Sequence, residues 1–198
     1  MSGGARARLF VAVDPPLAVR EQLALWARTA AAARPTVAHP TLRLLDPDLL
    51  HLTLCFLGSR PVAEIMAIGS TLGECATQVG ELQVGPPLWL PRARPRSLAV
   101  AIHDDAGELS RLHSAVTRAI SEASTWEPER RRFRAHITVA RTRGRTESGP
   151  DQPAQSFALP PTPQLRFNPH SLTLYRSWLS GEGASYEALA TCDLPAWA

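Results

Sequence analysis

The sequence predicts an α+β fold: two pseudo-symmetric lobes, each an antiparallel β-sheet with helices on its outer face, around a central cleft. Three observations carry this expectation. Segments of strand and helix period follow in the order β-α-β-β-α-β-β-α-β and then give way to strands alone. One short phrase occurs twice, His51-Leu-Thr-Leu and His136-Ile-Thr-Val, 85 residues apart, each after a helix and an intervening segment. At 198 residues, the chain is long enough for one bilobal domain spanning 1–198 around a shared core.

Each element has its own local reason. Leu9 to Val13 is a buried strand rich in β-branched and aromatic residues. Asp14-Pro-Pro16 ends it and opens a helix, with Asp14 as a capping candidate and proline suited to the first turn. That helix carries Leu17, Leu23 and Trp26 and runs to about Ala33, before Pro35. Leu42 to Leu45 is a short strand, and Leu50 to Leu57 is the first motif strand, stopped by Gly58. A helix from Pro61 to about Val79 places Ile65, Ile68, Leu72 and Cys75 on one side. Glu81 to Val84 alternates as a strand, and the Pro- and Arg-rich stretch 86–95 reads as an irregular loop. Ser97 to His103 is apolar and extended. The next helix begins after Asp104-Asp105 and shows Leu109, Leu112, Val116 and Ile120 at helical spacing. The second motif strand is Ala135 to Arg141. Residues 144–163 read as a surface loop. Leu165–Phe167, Ser171–Trp178 and Tyr186–Ala190 are closing strands, the last two joined by a turn at 180–183.

Composition narrows the class. The chain is 44% hydrophobic and 20% charged, as in ordinary globular proteins, and its net charge of +3 is mild. All 21 basic residues are arginine, the better bidentate partner for phosphate, although the wealth of Ala and Pro points to a genome-wide bias. Cys55, Cys75 and Cys192 form no C-x-x-C pair and no zinc pattern, so reduced thiols in a cytoplasmic protein are expected. No apolar run reaches membrane-spanning length, and the N-terminus lacks the hydrophobic region of a secretion signal.

The repeated phrase carries the chemistry. On a strand, His51 and Thr53 point one way and Leu52 and Leu54 the other, and the same holds for His136 and Thr138. A composition with six His in 198 residues yields roughly 0.1 such phrases by chance, so two copies ask for a shared reason. Pseudo-twofold symmetry would bring both polar faces to one cleft. Paired imidazoles suit proton transfer near neutral pH, and threonine hydroxyls can donate to an anionic oxygen. With an arginine added, the set fits a phosphodiester and needs no metal, since no carboxylate cluster stands near either motif.

The sequence resembles the 2H phosphoesterase superfamily, and within it the RNA 2',3'-cyclic phosphodiesterases, historically called 2'-5' RNA ligases. The resemblance rests on Arg8 to Pro16 as the opening strand and His51-Leu-Thr-Leu-Cys-Phe-Leu-Gly58 as the first signature. Phe133-Arg-Ala-His-Ile-Thr-Val-Ala-Arg141 is similar to the second, and Leu174–Ser177 with Tyr186–Ala190 to the closing strands. It implies His51 and His136 as the catalytic pair, Thr53 and Thr138 as phosphate binders and Arg141 as a substrate contact. It implies ring opening to a 2'-phosphate, with His136 as base and His51 as acid. Its substrates would be RNA with 2',3'-cyclic phosphate ends or small cyclic nucleotides, acted on without a cofactor; a monomer is expected, since nothing in the sequence demands more. Reverse 2'-5' ligation would share the site. The alternative is a nucleotide- or RNA-end-binding module that uses the cleft without turnover.

Two departures from the family pattern stand out. Ala135 replaces the usual proline before His136. Cys55 replaces a long side chain and, by strict alternation, shares the face of His51 and Thr53. By the same alternation Phe56 belongs to the opposite, core face. Phe133 and Arg134 are further substrate-contact candidates, weighed against packing and solvated-loop roles. Arg92, Arg94 and Arg96 read as solvated residues in preference to a rim for a longer RNA, and His39, His103, His113 and His170 as structural or surface residues.

Overall fold

The computed structural model describes residues 5–33, 41–91, 93, 95–143, 159–180 and 183–195. In chain order the elements are β1 (Arg6–Asp14), α1 (Leu17–Ala32), β2 (Thr41–Leu44), β3 (Leu52–Pro61), α2 (Ile65–Cys75), β4 (Leu82–Leu90) and β5 (Ser97–His103). They continue with α3 (Glu108–Ala123), β6 (His136–Arg143), β7 (Arg166–Phe167), β8 (Ser171–Ser180) and β9 (Gly183–Asp193). Short 3-10 turns at Pro47–Leu49 and Val62–Glu64 precede β3 and α2. The α+β expectation is borne out, and the order of strands and helices is the one read from periodicity.

The strands form one antiparallel sheet in the order β7-β4-β5-β6-β3-β1-β8-β9, with β2 paired to β6. The two motif strands are the central pair. They meet at one register pair, Leu52 opposite Ile137. On either side the halves mirror each other: β6, β5 and β4 run outward from one motif, and β3, β1 and β8 from the other.

The helices lie on one face of this sheet. Each buries a stripe at helical spacing: Leu23, Ala27 and Ala30 on α1, Ile68, Leu72 and Cys75 on α2, and Leu109, Leu112, Val116 and Ile120 on α3. These stripes meet Leu9, Val11, Val13, Leu52, Val100 and Ile137 in one apolar cluster. Full burial of a side chain such as Leu52 or Ile137 is worth about 1.5–3 kcal/mol. The face carrying Leu52 and Ile137 is therefore the core face, and the opposite face is left for the polar motif residues.

Several local expectations are corrected. Asp14 does not cap α1, whose N-terminus has no side-chain cap; its carboxylate turns to β8 instead. The N-cap of α3 is Gly107, and Asp104, three residues before it, accepts from the first-turn amides of Leu109 and Ser110. Stretch 86–95 is not wholly loop. β4 continues to Leu90, and its ladder with β5 shifts register between Val84 and Pro87, since prolines there donate no hydrogen bond. Helix α2 starts later and ends earlier than periodicity indicated. Gly58, at φ 69°, does not stop β3, and the strand runs on to Pro61. Of the surface-loop stretch, 144–158 lie outside the described residues, as do 34–40 (with His39), Arg92, Arg94 and 181–182 of the hairpin turn; 159–163 have no regular structure.

Candidate active site

The Leu52–Ile137 pair fixes the geometry of the site. Residues opposite one another in an antiparallel pair point to the same face, and their neighbours along each strand point to the other. Leu52 and Ile137 enter the core, so His51, Thr53, His136 and Thr138 emerge together on the far face. By this register His51 neighbours Thr138 across the seam, and Thr53 neighbours His136. The structure thus brings the four expected motif residues to one surface.

The motif strands do not keep strict alternation beyond this point. Opposite β1, Val11 pairs with Cys55 and Ala12 with Thr53, so Leu54 is an extra residue. Opposite β5, Leu98 pairs with Ala140 and Ala99 with Thr138, so Val139 is extra. Each motif carries a β-bulge at its fourth position, and a bulge flips the facing of the residues after it, in β3 as far as a second register shift at Leu57. Cys55 and Ala140 therefore turn into the core, and Phe56 and Arg141, each five residues after its histidine, turn to the site face.

This corrects two expectations. Cys55 is not beside the histidine. Its thiol is buried against the Thr117 hydroxyl of α3 at 3.3 Å, and burial pushes its pKa up to about 11. Phe56 is not core. It is 38% exposed, with the Arg8 guanidinium 4.4 Å from its ring centroid. The sequence signal that would have found it is the repeat itself, because Phe56 occupies the place that Arg141 occupies in the second copy. Arg141 lies opposite Ser97 on one side and Arg43 on the other, on the motif face.

Both imidazoles are anchored in the same way. The Nδ1–H of His51 donates to the Leu49 carbonyl at 2.8 Å, and that of His136 donates to the Arg134 carbonyl at 2.7 Å. A carbonyl only accepts, so Nδ1 carries the proton and Nε2 is the nitrogen left for substrate, with a lone pair when the ring is neutral and a proton when it is charged. His51 also sits among three aromatic rings. It stacks on Phe10 with centroids 4.7 Å apart, and Tyr186 meets it edge-on at 5.2 Å. Tyr175 stacks on Phe10 at 5.1 Å and lies 6.1 Å from the imidazole.

That enclosure has an electrostatic consequence. Burial lowers the His51 pKa to about 4, opposed by the Leu49 hydrogen bond and the Asp14 charge and reinforced by Arg141 and His136. Arg141 and His136 act on His51 through space, as expected of groups sharing one site. In the free protein His51 is neutral at pH 7.

Phe133 and Arg134 stand differently. The Phe133 ring stacks on His113 of α3 at 4.2 Å, so a packing partner occupies one of its faces. The Arg134 side chain is exposed just ahead of β6, and its carbonyl is what anchors His136. His103 is exposed at the end of β5 and lies against Gly85, where an added Cβ would collide with the imidazole. Among the described residues, no group of three His, Cys, Asp or Glu side chains is arranged to hold a metal ion, and no helix is long and apolar enough to cross a membrane.

Comparison with known proteins points the same way. No protein-family model matches the sequence. The RNA 2',3'-cyclic phosphodiesterase of Aeropyrum pernix is 31% identical over 119 residues, 58% of this chain and 66% of that protein; the match thus spans slightly under two thirds of the relative's length. Escherichia coli LigT, solved with 3'-AMP, superposes with a TM-score of 0.75 at 24% identity, over 96% of this chain and 99% of its own. The protein TT0787 of Thermus thermophilus gives a TM-score of 0.71 at 26% identity, over 94% and 97%. E. coli LigT has also been solved with NADP+, ATP and phosphate. The family resemblance drawn from the two signatures is borne out.

Proposed function

We propose that this chain, which belongs with the 2H phosphoesterases by its two signatures and its LigT-like fold, hydrolyses 2',3'-cyclic phosphates to 2'-phosphates. The observation that carries the reading is the Leu52–Ile137 pair, which sets two His-x-Thr pairs on one face. The Aeropyrum pernix relative's name and the nucleotide complexes of E. coli LigT support a nucleotide or RNA end as substrate.

In the proposed reaction the cyclic phosphate lies over the central seam. Thr53 and Thr138 donate hydroxyl hydrogen bonds to the non-bridging oxygens, and Arg141 adds charge-assisted donors. His51 Nε2, neutral at the start, takes a proton from water. The water oxygen bonds to phosphorus, the bond from phosphorus to O3' breaks, and His136 delivers a proton to O3'. The ribose keeps its phosphate on O2', and the two imidazoles end with their protonation exchanged. The exposed Phe56 offers a flat apolar surface to the base. Ligation through a 2'-5' bond is the same step with the 5'-hydroxyl of a second ribose in place of water: its oxygen bonds to phosphorus, its proton goes to His51, and O3' leaves with the proton from His136. The working unit is a monomer acting on RNA ends or small cyclic nucleotides in the cytoplasm.

The test is incubation of 2',3'-cyclic nucleotides and a cyclic-phosphate-ended RNA with the protein in EDTA, with product isomers resolved. The expected product is the 2'-phosphate alone. A 3'-phosphate, or activity that disappears on chelation, would require a different chemistry.

A further inference from the structure

Asp14 is a buried carboxylate that the proposed reaction does not use. It ends β1 on the motif face, only 9% exposed. Three hydroxyls of β8 donate to it: Ser171 at 2.9 Å and Thr173 at 2.8 Å to one oxygen, and Tyr175 at 2.9 Å to the other. Burying an ionised carboxylate is costly unless it is well hydrogen-bonded, and three donors on alternate residues of one strand are a purpose-built cradle. No cation is paired with it among the described residues. The donors are neutral and do not cancel its negative charge; Arg20 is the cation that acts through space on the Tyr175 hydroxyl of the cradle.

The network leads to His51. The Tyr175 ring, held at its hydroxyl by Asp14, lies nearly parallel to Phe10 with an interplanar angle of 20°. Phe10 in turn lies at 28° to the His51 imidazole. The order along the face is carboxylate, phenol, phenyl, imidazole. Tyr186 of β9 closes the edge of both Phe10 and His51.

We propose that Asp14 is a positioning residue for His51: its cradled carboxylate locks the Tyr175–Phe10 stack against the imidazole and supplies the negative charge against which that imidazole takes up a proton. This rests on the proton-acceptor role given to His51 above. The groups acting on His51 divide by element. Asp14 of β1 and the Leu49 carbonyl favour its protonated form, whereas His136 and Arg141 of β6 oppose it. Tyr175 and Tyr186 contribute ring faces and edges; burial and the Asp14 charge push the Tyr175 hydroxyl well above its ordinary range, so it stays neutral. Asp14 is thus the ionised side chain that counters the cations of the opposite lobe. Without it, the basicity of an imidazole already depressed by its aromatic enclosure falls further, and proton uptake from water slows.

The test is Asp14→Asn, which keeps the shape and removes the charge. Three things are expected. The kcat on a 2',3'-cyclic nucleotide falls about tenfold, less than for loss of the histidine itself. KM stays within about twofold. The His51 ring resonances and the acid limb of the kcat/KM profile move together to lower pH. A folded Asp14→Asn protein in which His51 titrates as in the unmodified chain would overturn the proposal, as would a loss confined to KM. Should Asp14→Asn fail to fold, Tyr175→Phe decides: it frees the ring from the carboxylate, so kcat must fall with KM little changed, and a folded Tyr175→Phe protein with unaltered kcat and unaltered His51 resonances overturns the proposal. If no cyclic phosphate is turned over by the unmodified chain, the functional reading falls, while the His51 titration still judges Asp14.

Discussion

Leu52 and Ile137 face each other across the register pair that joins the two halves of the sheet, and each is the middle residue of a His-x-Thr phrase. Both side chains are fully buried. Truncating either one leaves a cavity under the motif residues. Leu52→Ala or Ile137→Ala is expected to cost about 2–5 kcal/mol in denaturant unfolding. Turnover should fall further than the folded fraction does, because the cavity lies directly beneath the reacting groups. A variant at full stability with full activity would show that the seam does not set the site.

The histidines and their threonines separate by kind of effect. His51→Ala and His136→Ala should each lower kcat by roughly 100- to 10,000-fold, with circular dichroism unchanged. Thr53→Val and Thr138→Val should weaken transition-state binding by about 1–3 kcal/mol each, seen in kcat/KM. Near-wild-type turnover in either histidine variant would remove that residue from the reaction.

Burial of His51 also predicts a pH-dependent stability. Its pKa falls from 6.5 to about 4 in the folded chain. Between these values the unfolded chain binds a proton that the folded chain does not, so stability declines as pH is lowered through that window. The term is fully present above pH 6.5, and its size is on the order of 3 kcal/mol. His51→Ala should flatten the profile between pH 6.5 and 4 while abolishing turnover. Urea unfolding at several pH values checks this, and an unchanged slope in the variant would assign the dependence to another group.

Phe56 and Arg141 occupy equivalent places after the two bulges, yet they should fail differently. Arg141→Ala should lower kcat/KM on every cyclic phosphate. Phe56→Ala should raise KM for a cyclic nucleotide, costing about 1–3 kcal/mol of stacking, and leave a base-free ribose 2',3'-cyclic phosphate unaffected. An equal loss on both substrates would make Phe56 a packing residue.

Much of this was legible in the sequence for a definite reason. Period-two and helical patterns depend on burial of one face, and the core stripes of α1, α2 and α3 were strong enough to give the order of elements. The His-x-Thr repeat announced a shared surface because polar residues at period two must face something polar. The bulges were not legible: Leu54 and Val139 are ordinary apolar strand residues, and nothing in either type marks an extra position in a ladder. Strict alternation therefore misplaced Cys55 and Phe56, and it would have put Arg141 on the core side. Asp14 was misread for a related reason. Asp-Pro-Pro before a helix is a good local capping signal, but three hydroxyls more than 150 residues away compete for the same carboxylate and win.

The central claim is that both His-x-Thr pairs grip one phosphate. The most direct measurement follows the ring resonances of all histidines while 2'-AMP is added to the full chain. The account predicts that His51 and His136 shift together along one saturation curve and that His103 and His170 do not follow it. Response of only one motif histidine, or two curves with separate midpoints, would contradict it.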